Sequence, residues 1–208
     1  MLNFIRFTHG LLGANTYLVW FEGGKEACVI DAGNPPGPVA EAAEKKDLQV
    51  KYIILTHAHY DHICDIDGYK AAFPGAKTVI HPLDNKLMGD PRLNASSLFG
   101  SEKRYGCAEL TVEDGTVLKL EGGLLQVLHT PGHTPGGICI LAEGNLFSGD
   151  TLFYDSFGRT DLGAGDLDTL KASLKKLFSL PAETVVHPGH GIRTTIGREA
   201  GDNPIRYY

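Results

Sequence analysis

The 208-residue chain is 42% hydrophobic and 21% charged with a formal net charge of −6, which fits one domain over residues 1–208 with a sizeable core. The acidic balance and the lack of any Lys/Arg run argue against a nucleic-acid partner. No stretch nears the roughly 18 consecutive apolar residues of a membrane span, and the four scattered cysteines suggest no disulfide framework and no thiolate site.

The first twenty residues lack a basic start, a continuous apolar run and a small-residue cleavage site, so the expected setting is cytoplasmic. In chain order, "NFIRF", "NTYLVWF" and "EACVID" predict strands joined by tight turns such as "EGGK". "PPGPVAEAAEKKD" predicts a helix with its prolines at the start, and "VKYIIL" a buried strand. "HICDIDGYKAAF" predicts a helix, "AKTVIH" a strand and "PLDNKLM" a short helical turn. Residues 89–109 show no period and predict an irregular surface segment. "TVLKL", "LLQVLHT", "GGICILAEG" and "NLFSGD" predict four more strands. "DLDTLKASLKKLFSL" is an amphipathic helix with Leu167, Leu170, Leu174 and Leu177 on one stripe and Asp166 as its cap. "AETVVHPGHG" closes with a strand and a His-bearing loop. No internal repeat interrupts this order. The alternation predicts a layered α/β architecture.

Chemistry concentrates where strands give way to loops. "THAHYDH", residues 56–62, crowds His57, His59, Asp61 and His62 behind an apolar run. "HTPGHTPGG" supplies His133, "FSGDTLF" supplies Asp150 and "VVHPGHG" supplies His190, each flanked by glycines that allow a sharp turn. Imidazole and carboxylate are the ligands a borderline divalent ion accepts. These seven are too many for one tetrahedral ion and suit two ions sharing a ligand. Only an aspartate has two oxygens able to bridge, which leaves Asp150 or Asp61. Any single histidine is more often a surface or hydrogen-bonded core residue. That reading is applied to His9, His81, His129 and His187, the last two being candidates to support neighbouring ligands.

"THAHYDH" resembles the HxHxDH signature of the metallo-β-lactamase superfamily, and His133, Asp150 and His190 follow in that superfamily's order. "VIDAG", with Asp31, resembles its first, non-ligand motif. The resemblance covers Asp31 to His190. It implies a four-layered αβ/βα sandwich, with His57, His59 and His133 holding one metal, Asp61, His62 and His190 the other, and Asp150 bridging. It further implies two divalent ions, zinc expected and iron or manganese acceptable. Asp31 is expected to brace the loop of His57 and His59, and Cys64 to be a small buried apolar side chain.

Within the superfamily, "GDTLF", "TPGHTPGG", "GRTDLGAGD" and "TTIGREAGDNP" resemble a short glyoxalase II (hydroxyacylglutathione hydrolase) subgroup. True β-lactamases generally lack an aspartate at the position of Asp150. The implied reaction is hydrolysis of a small-molecule thioester of the S-(2-hydroxyacyl)glutathione type by a metal-bound hydroxide, with Asp61 orienting the nucleophile. Two departures stand out: the chain ends too soon after His190 for the helical domain that holds glutathione in longer relatives, and Arg159 stands near where their glutathione-binding lysine would be. The alternative is an iron-dependent persulfide dioxygenase of the same fold, a family in which "GRTD" also occurs.

Overall fold

The structure, a computed structural model, describes residues 1–162 and 164–208; Gly163, inside the motif of residues 158–166, lies outside them. Two six-stranded sheets pack face to face. The first contains β1 (Leu2–Phe7), β2 (Thr16–Phe21), β3 (Glu26–Ile30), β4 (Gln49–Ile54), β5 (Lys77–Ile80) and β6 (Leu110–Thr111), in that order. Its first two ladders are antiparallel and the other three parallel. Over its outer face lie α1 (Pro36–Lys45), α2 (Tyr60–Ile63), α3 (Ile66–Ala72) and α4 (Pro82–Leu87).

The second sheet contains β7 (Val117–Leu120), β8 (Gly123–His129), β9 (Ile138–Ala142) and β10 (Asn145–Gly149) as an antiparallel meander. After a small hairpin of β11 (Leu152–Phe153) and β12 (Ser156–Phe157), α5 (Leu167–Leu177) crosses back. β13 (Val185–Pro188) then joins β10 in parallel, β14 (Thr194–Thr195) adds the edge, and α6 (Ile196–Asp202) follows.

The four layers follow from alternation along the strands. In β2, Tyr17, Val19 and Phe21 enter the core between the sheets, with Leu125, Val127, Ile140 and Phe147 opposite. Leu18, from the other face of β2, packs with Val39 of α1 and Tyr69 of α3. On the far side Leu170, Leu174 and Leu177 of α5 cover Cys139, Leu146 and Val186. Each of these fully buried leucines contributes about 2 kcal/mol by area. Asp166 caps α5 as expected, its Oδ1 accepting from the Thr169 N–H at 2.7 Å.

One predicted element differs. "HICDIDGYKAAF" is not one helix: α2 ends at Ile63 and α3 begins at Ile66. The Ala32 N–H donates to the His62 carbonyl (2.7 Å) and the Ala32 carbonyl accepts from Asp65 N–H (3.0 Å). These backbone bonds to the loop after β3 replace the intrahelical bonds at the break. The β11–β12 hairpin, β6, β14 and α6 are further elements that no run of residues in the sequence predicts. Among the described residues no helix is long and apolar enough to cross a membrane.

Candidate metal centre

The parallel ladders place the carboxyl ends of β3, β4 and β5, and of β10 and β13, along one rim, where ligand-bearing loops of α/β proteins gather. Backbone bonds from Ile138 to Thr56 (2.9 Å) and from Asn15 to Gly189 (2.7 Å) tie the two sheets together there. All seven expected ligands converge on this rim. The groups His57–His59–His133, His57–His62–Asp150 and Asp61–His62–His190 each have ligand atoms within 4.8 Å of one another.

The geometry separates the two candidate bridging aspartates. Asp150 Oδ2 lies 3.6 Å from His133 Nε2 and 3.6 Å from His190 Nε2, while its Oδ1 lies 3.3 Å from His62 Nε2. It therefore stands between both histidine groups. Asp61 Oδ2 approaches only His190 (3.1 Å) and His62 (3.7 Å), on one side.

Hydrogen bonds aim the imidazoles. His62 Nδ1 donates to Asp31 Oδ2 at 2.8 Å, freeing its Nε2 for the centre. Asp31 Oδ1 accepts from the Thr56 N–H (2.7 Å), and Oδ2 also accepts from the Thr56 hydroxyl (2.9 Å). The Thr56 oxygen in turn lies 3.0 Å from His57 Nδ1 and can accept from it. His133 Nδ1 donates to the Arg159 carbonyl at 2.7 Å, leaving Nε2 with a lone pair 2.8 Å from His59 Nδ1. Such outer bonds fix the tautomer and direction of a metal-binding histidine. Asp31 thus does more than brace the start of the His57–His59 loop. It also orients His62, and it does so from a left-handed backbone conformation (φ 62°).

Charge and burial are opposed across the cluster. Burial, with His133 beside it, lowers the pKa of His59 to about 3, and burial holds His57 well below its ordinary value. Burial also disfavours a charged His62, but Asp150, Asp31 and Asp61 outweigh it and raise its pKa well above the usual range. Burial likewise works against an ionised Asp150, and His62, His57 and His133 reverse that.

The residues fit a pair of cations. His57 Nε2 and Asp150 Oδ1 are buried without a hydrogen-bond partner, an arrangement costing about 1–3 kcal/mol each unless a ligand meets them. Two convergent imidazole nitrogens at 2.8 Å point the same way. Gly189 allows the approach: a Cβ there would fall 2.2 Å from Asp150 Oδ1. A binuclear metal-binding site is present, and its histidine–carboxylate chemistry suits zinc, iron or manganese.

Asp84 drew no attention in the sequence. Its buried carboxylate accepts from the Ala58 N–H (2.8 Å) and the Gly136 N–H (2.6 Å), joining the loop of His57 and His59 to that of His133. A lone aspartate in a short amphipathic turn carries no signal for this task. His129 supports the His133 loop, its Nε2 donating to the Pro135 carbonyl (3.0 Å), and stacks on His81. His187 lies away from the ligands, bonded to Asn145 (2.9 Å) and stacked on Phe147. His9 contributes only its backbone N–H, to Asn34. Burial and Asp65 push the half-buried Cys64 thiol up to about 11, so it is no ready thiolate ligand. The Arg159 guanidinium sits at the cavity edge, bound through two nitrogens to Asp161 (2.6 and 2.8 Å).

The sequence pattern of the metallo-beta-lactamase superfamily matches residues 9–190. The chain belongs to that superfamily. Hydroxyacylglutathione hydrolase GloC of Haemophilus influenzae is 33% identical, with 92% of each chain covered. The di-iron-bound form of TTHA1623 is 39% identical with a TM-score of 0.83, covering 96% of this chain and 98% of that one. BLEG-1, a B3 metallo-beta-lactamase, is 36% identical with a TM-score of 0.89, covering 97% and 98%. Superfamily membership and fold accord with the sequence reading. The glyoxalase II subgroup is not singled out, because a β-lactamase and a di-iron protein of the superfamily stand as near as the glutathione thioester hydrolase. The chain is a metal-dependent enzyme of the superfamily with a binuclear hydrolase site.

Proposed function

We propose that the enzyme hydrolyses thioesters of the S-(2-hydroxyacyl)glutathione type. The observation that carries this reading is the ligand set itself, in which Asp150 reaches both histidine groups while Asp61 stays on one side and faces the cavity. Likeness to the Haemophilus influenzae hydrolase, at 33% identity, supports the substrate class. In this reading His57, His59 and His133 would hold one cation and Asp61, His62 and His190 the second, with Asp150 within reach of both groups.

When bound, two cations supply Lewis acidity toward a carbonyl and lower the pKa of water to near neutrality. The chain's own residues do the rest. Asp61 is the group placed to orient the attacking water and accept its proton. Burial opposes its ionisation, but His62 and His190 outweigh that and lower its pKa, keeping the carboxylate ready. His62, fixed by Asp31, and His133, fixed by Arg159, keep their directions as charge shifts. Water adds to the thioester carbon, the C–S bond breaks, and acid and thiol leave. A thiol of pKa about 8.5 departs without a strong acid behind it, and among the described residues lining the cavity the non-ligand side chains supply none.

The test is thiol release from S-lactoylglutathione by protein of assayed metal content, with Asp150→Ala as control. Release that vanishes in the control supports the reading. Asp61→Asn is expected to lose about 100-fold or more in kcat while retaining most of its metal; full turnover in that variant removes Asp61 from the role. The second reading, iron-dependent persulfide oxidation, has the stronger support from the relatives: likeness to ETHE1 of Myxococcus xanthus, 28% identical with a TM-score of 0.79 over 98% of this chain and 83% of that one, is joined by an iron-holding relative, the di-iron-bound form of TTHA1623. On metal identity that comparison leans toward iron rather than zinc. Oxygen consumption with glutathione persulfide by iron-loaded protein, without thioester cleavage, would establish it instead.

A further inference from the structure

Above the ligands lies a cavity of about 370 Å³ whose floor includes His59, Asp61, His133, Asp150 and His190. Its walls are Leu12, Leu98, Phe99, Phe153, Phe157 and Leu162, drawn from four separate parts of the chain. Three of these large apolar side chains face solvent: Leu12 and Leu98 at 67% exposure and Phe99 at 39%. Apolar surface clustered around a polar floor marks a place where a ligand is covered.

The wall is held in place. Phe99 packs against Tyr60, next to His59, with ring centroids 5.7 Å apart. The Tyr60 N–H donates to the Asn94 carbonyl (2.8 Å), and Ala95 takes a left-handed conformation (φ 63°) that turns the chain into the short helical turn of Ser96–Phe99. The loop bearing Leu98 and Phe99 is therefore anchored to the metal-bearing loop.

Charge is nearly missing from these walls. Arg159 is the one cationic residue among the described lining, and its Nε and Nη2 already lie on Asp161. A peptidic carrier with two carboxylates finds among the described lining a single guanidinium, already paired with Asp161, and no ammonium. At about 370 Å³ the space is also near the lower end for small-ligand sites, enough for an acyl group and the start of a carrier.

Resting on the thioesterase reading, we infer that the enzyme selects its substrate by an uncharged acyl group whose carbon chain is seated against Phe99, Leu98 and Phe157. The carboxylates of a glutathione-like carrier project past the mouth and are not read. Arg159 and Asp161 form a rim ion pair, and Arg159 clamps no substrate carboxylate.

Inert thioethers test recognition apart from turnover. The metal-loaded protein is titrated by calorimetry with the S-(2-phenylethyl) derivatives of N-acetylcysteamine, which lacks carboxylates, and of glutathione. The expected result is dissociation constants within about threefold of each other, both weakened about tenfold or more by Phe99→Ser, the scale of a lost apolar contact. Binding of the glutathione thioether tenfold tighter, with that advantage lost in Arg159→Ala, overturns the inference. So does the absence of binding by either compound. Hydrolysis of the two matching phenylacetyl thioesters is then measured on the same protein. If the thioethers bind as expected but no thiol is released, apolar recognition stands and the thioesterase reading falls.

Discussion

At the floor of the cavity, ligand side chains are aimed by partners of their own: Asp31 behind His62, Thr56 behind His57, the Arg159 carbonyl behind His133. At the mouth, Leu12, Leu98 and Phe99 face solvent, and Phe99 packs on Tyr60. The floor gathers buried polar groups at the ends of packed strands, where one misplaced atom leaves others unpaired. The mouth gathers apolar groups on connecting segments, where a change of side chain disturbs little else. This division fits a superfamily in which relatives as different as a B3 β-lactamase and a glutathione thioester hydrolase show comparable similarity to the chain. A fold of this kind supports different activities, so the activity has to be argued from the site itself.

The sharpest way to break the comparison is to remove a supporting group that is not itself a candidate ligand. Asp31→Ala deletes the acceptor for the Thr56 N–H, the Thr56 hydroxyl and His62 Nδ1. Losing one member of a buried charged network costs about 3–5 kcal/mol, and loss of such an outer partner weakens metal binding about 10–100-fold. Chelator competition together with thermal unfolding measures both. An unchanged metal affinity would show that His62 is positioned by packing alone. Asp84→Ala comes next. It leaves the buried N–H groups of Ala58 and Gly136 unpaired, an expected loss of about 2–4 kcal/mol. Hydrogen exchange at those two amides should rise with it. A stable variant with protected amides would mean that the two ligand loops are joined by other contacts.

Much of the floor was legible in the sequence because ligands are residue types with few other reasons to cluster. "THAHYDH" has four of them in seven positions, each close to the end of β4. The layers were legible too, since Leu170, Leu174 and Leu177 repeat with the helix. Asp84 and the Arg159 carbonyl were not. Each acts across a distance of 26 residues or more, Asp84 on Ala58 and Gly136, the Arg159 carbonyl on His133, and neither a lone aspartate nor a backbone carbonyl has a spacing to read. The break between α2 and α3 was hidden for the same reason, because its cause is Ala32, on another element. Valence narrows the candidate bridge to Asp150 or Asp61 and the resemblance implies Asp150, while the distances put Asp150 between both histidine groups and Asp61 on one side.

A buried histidine apart from both floor and mouth sharpens the comparison further. His187 is lined by Phe4, Tyr17 and Phe147. Burial, with Arg193 and Arg6 adding to it, lowers its pKa to about 4. A histidine depressed below its ordinary 6.5 is protonated more readily when unfolded, so its contribution is complete above pH 6.5. That contribution is lost as pH falls toward about 4, amounting to up to about 3 kcal/mol. His187→Gln should flatten the acid limb of stability relative to the parent, measured by denaturant unfolding between pH 7 and 4. Equal slopes in the two proteins would assign acid lability to the metal ligands instead, making the floor the weak point at low pH.

The smallest expected effect belongs to the mouth. Leu98 is 67% exposed, so Leu98→Ser removes little buried area and should change stability by no more than about 0.5 kcal/mol. Metal content should stay at the parent level, because no ligand or ligand partner is touched. A marked loss of stability would mean that Leu98 is covered in solution, with its exposed surface occupied by something other than a transient substrate. The mouth would then belong to the folded architecture as firmly as the floor, and the contrast between the two would no longer hold at this site.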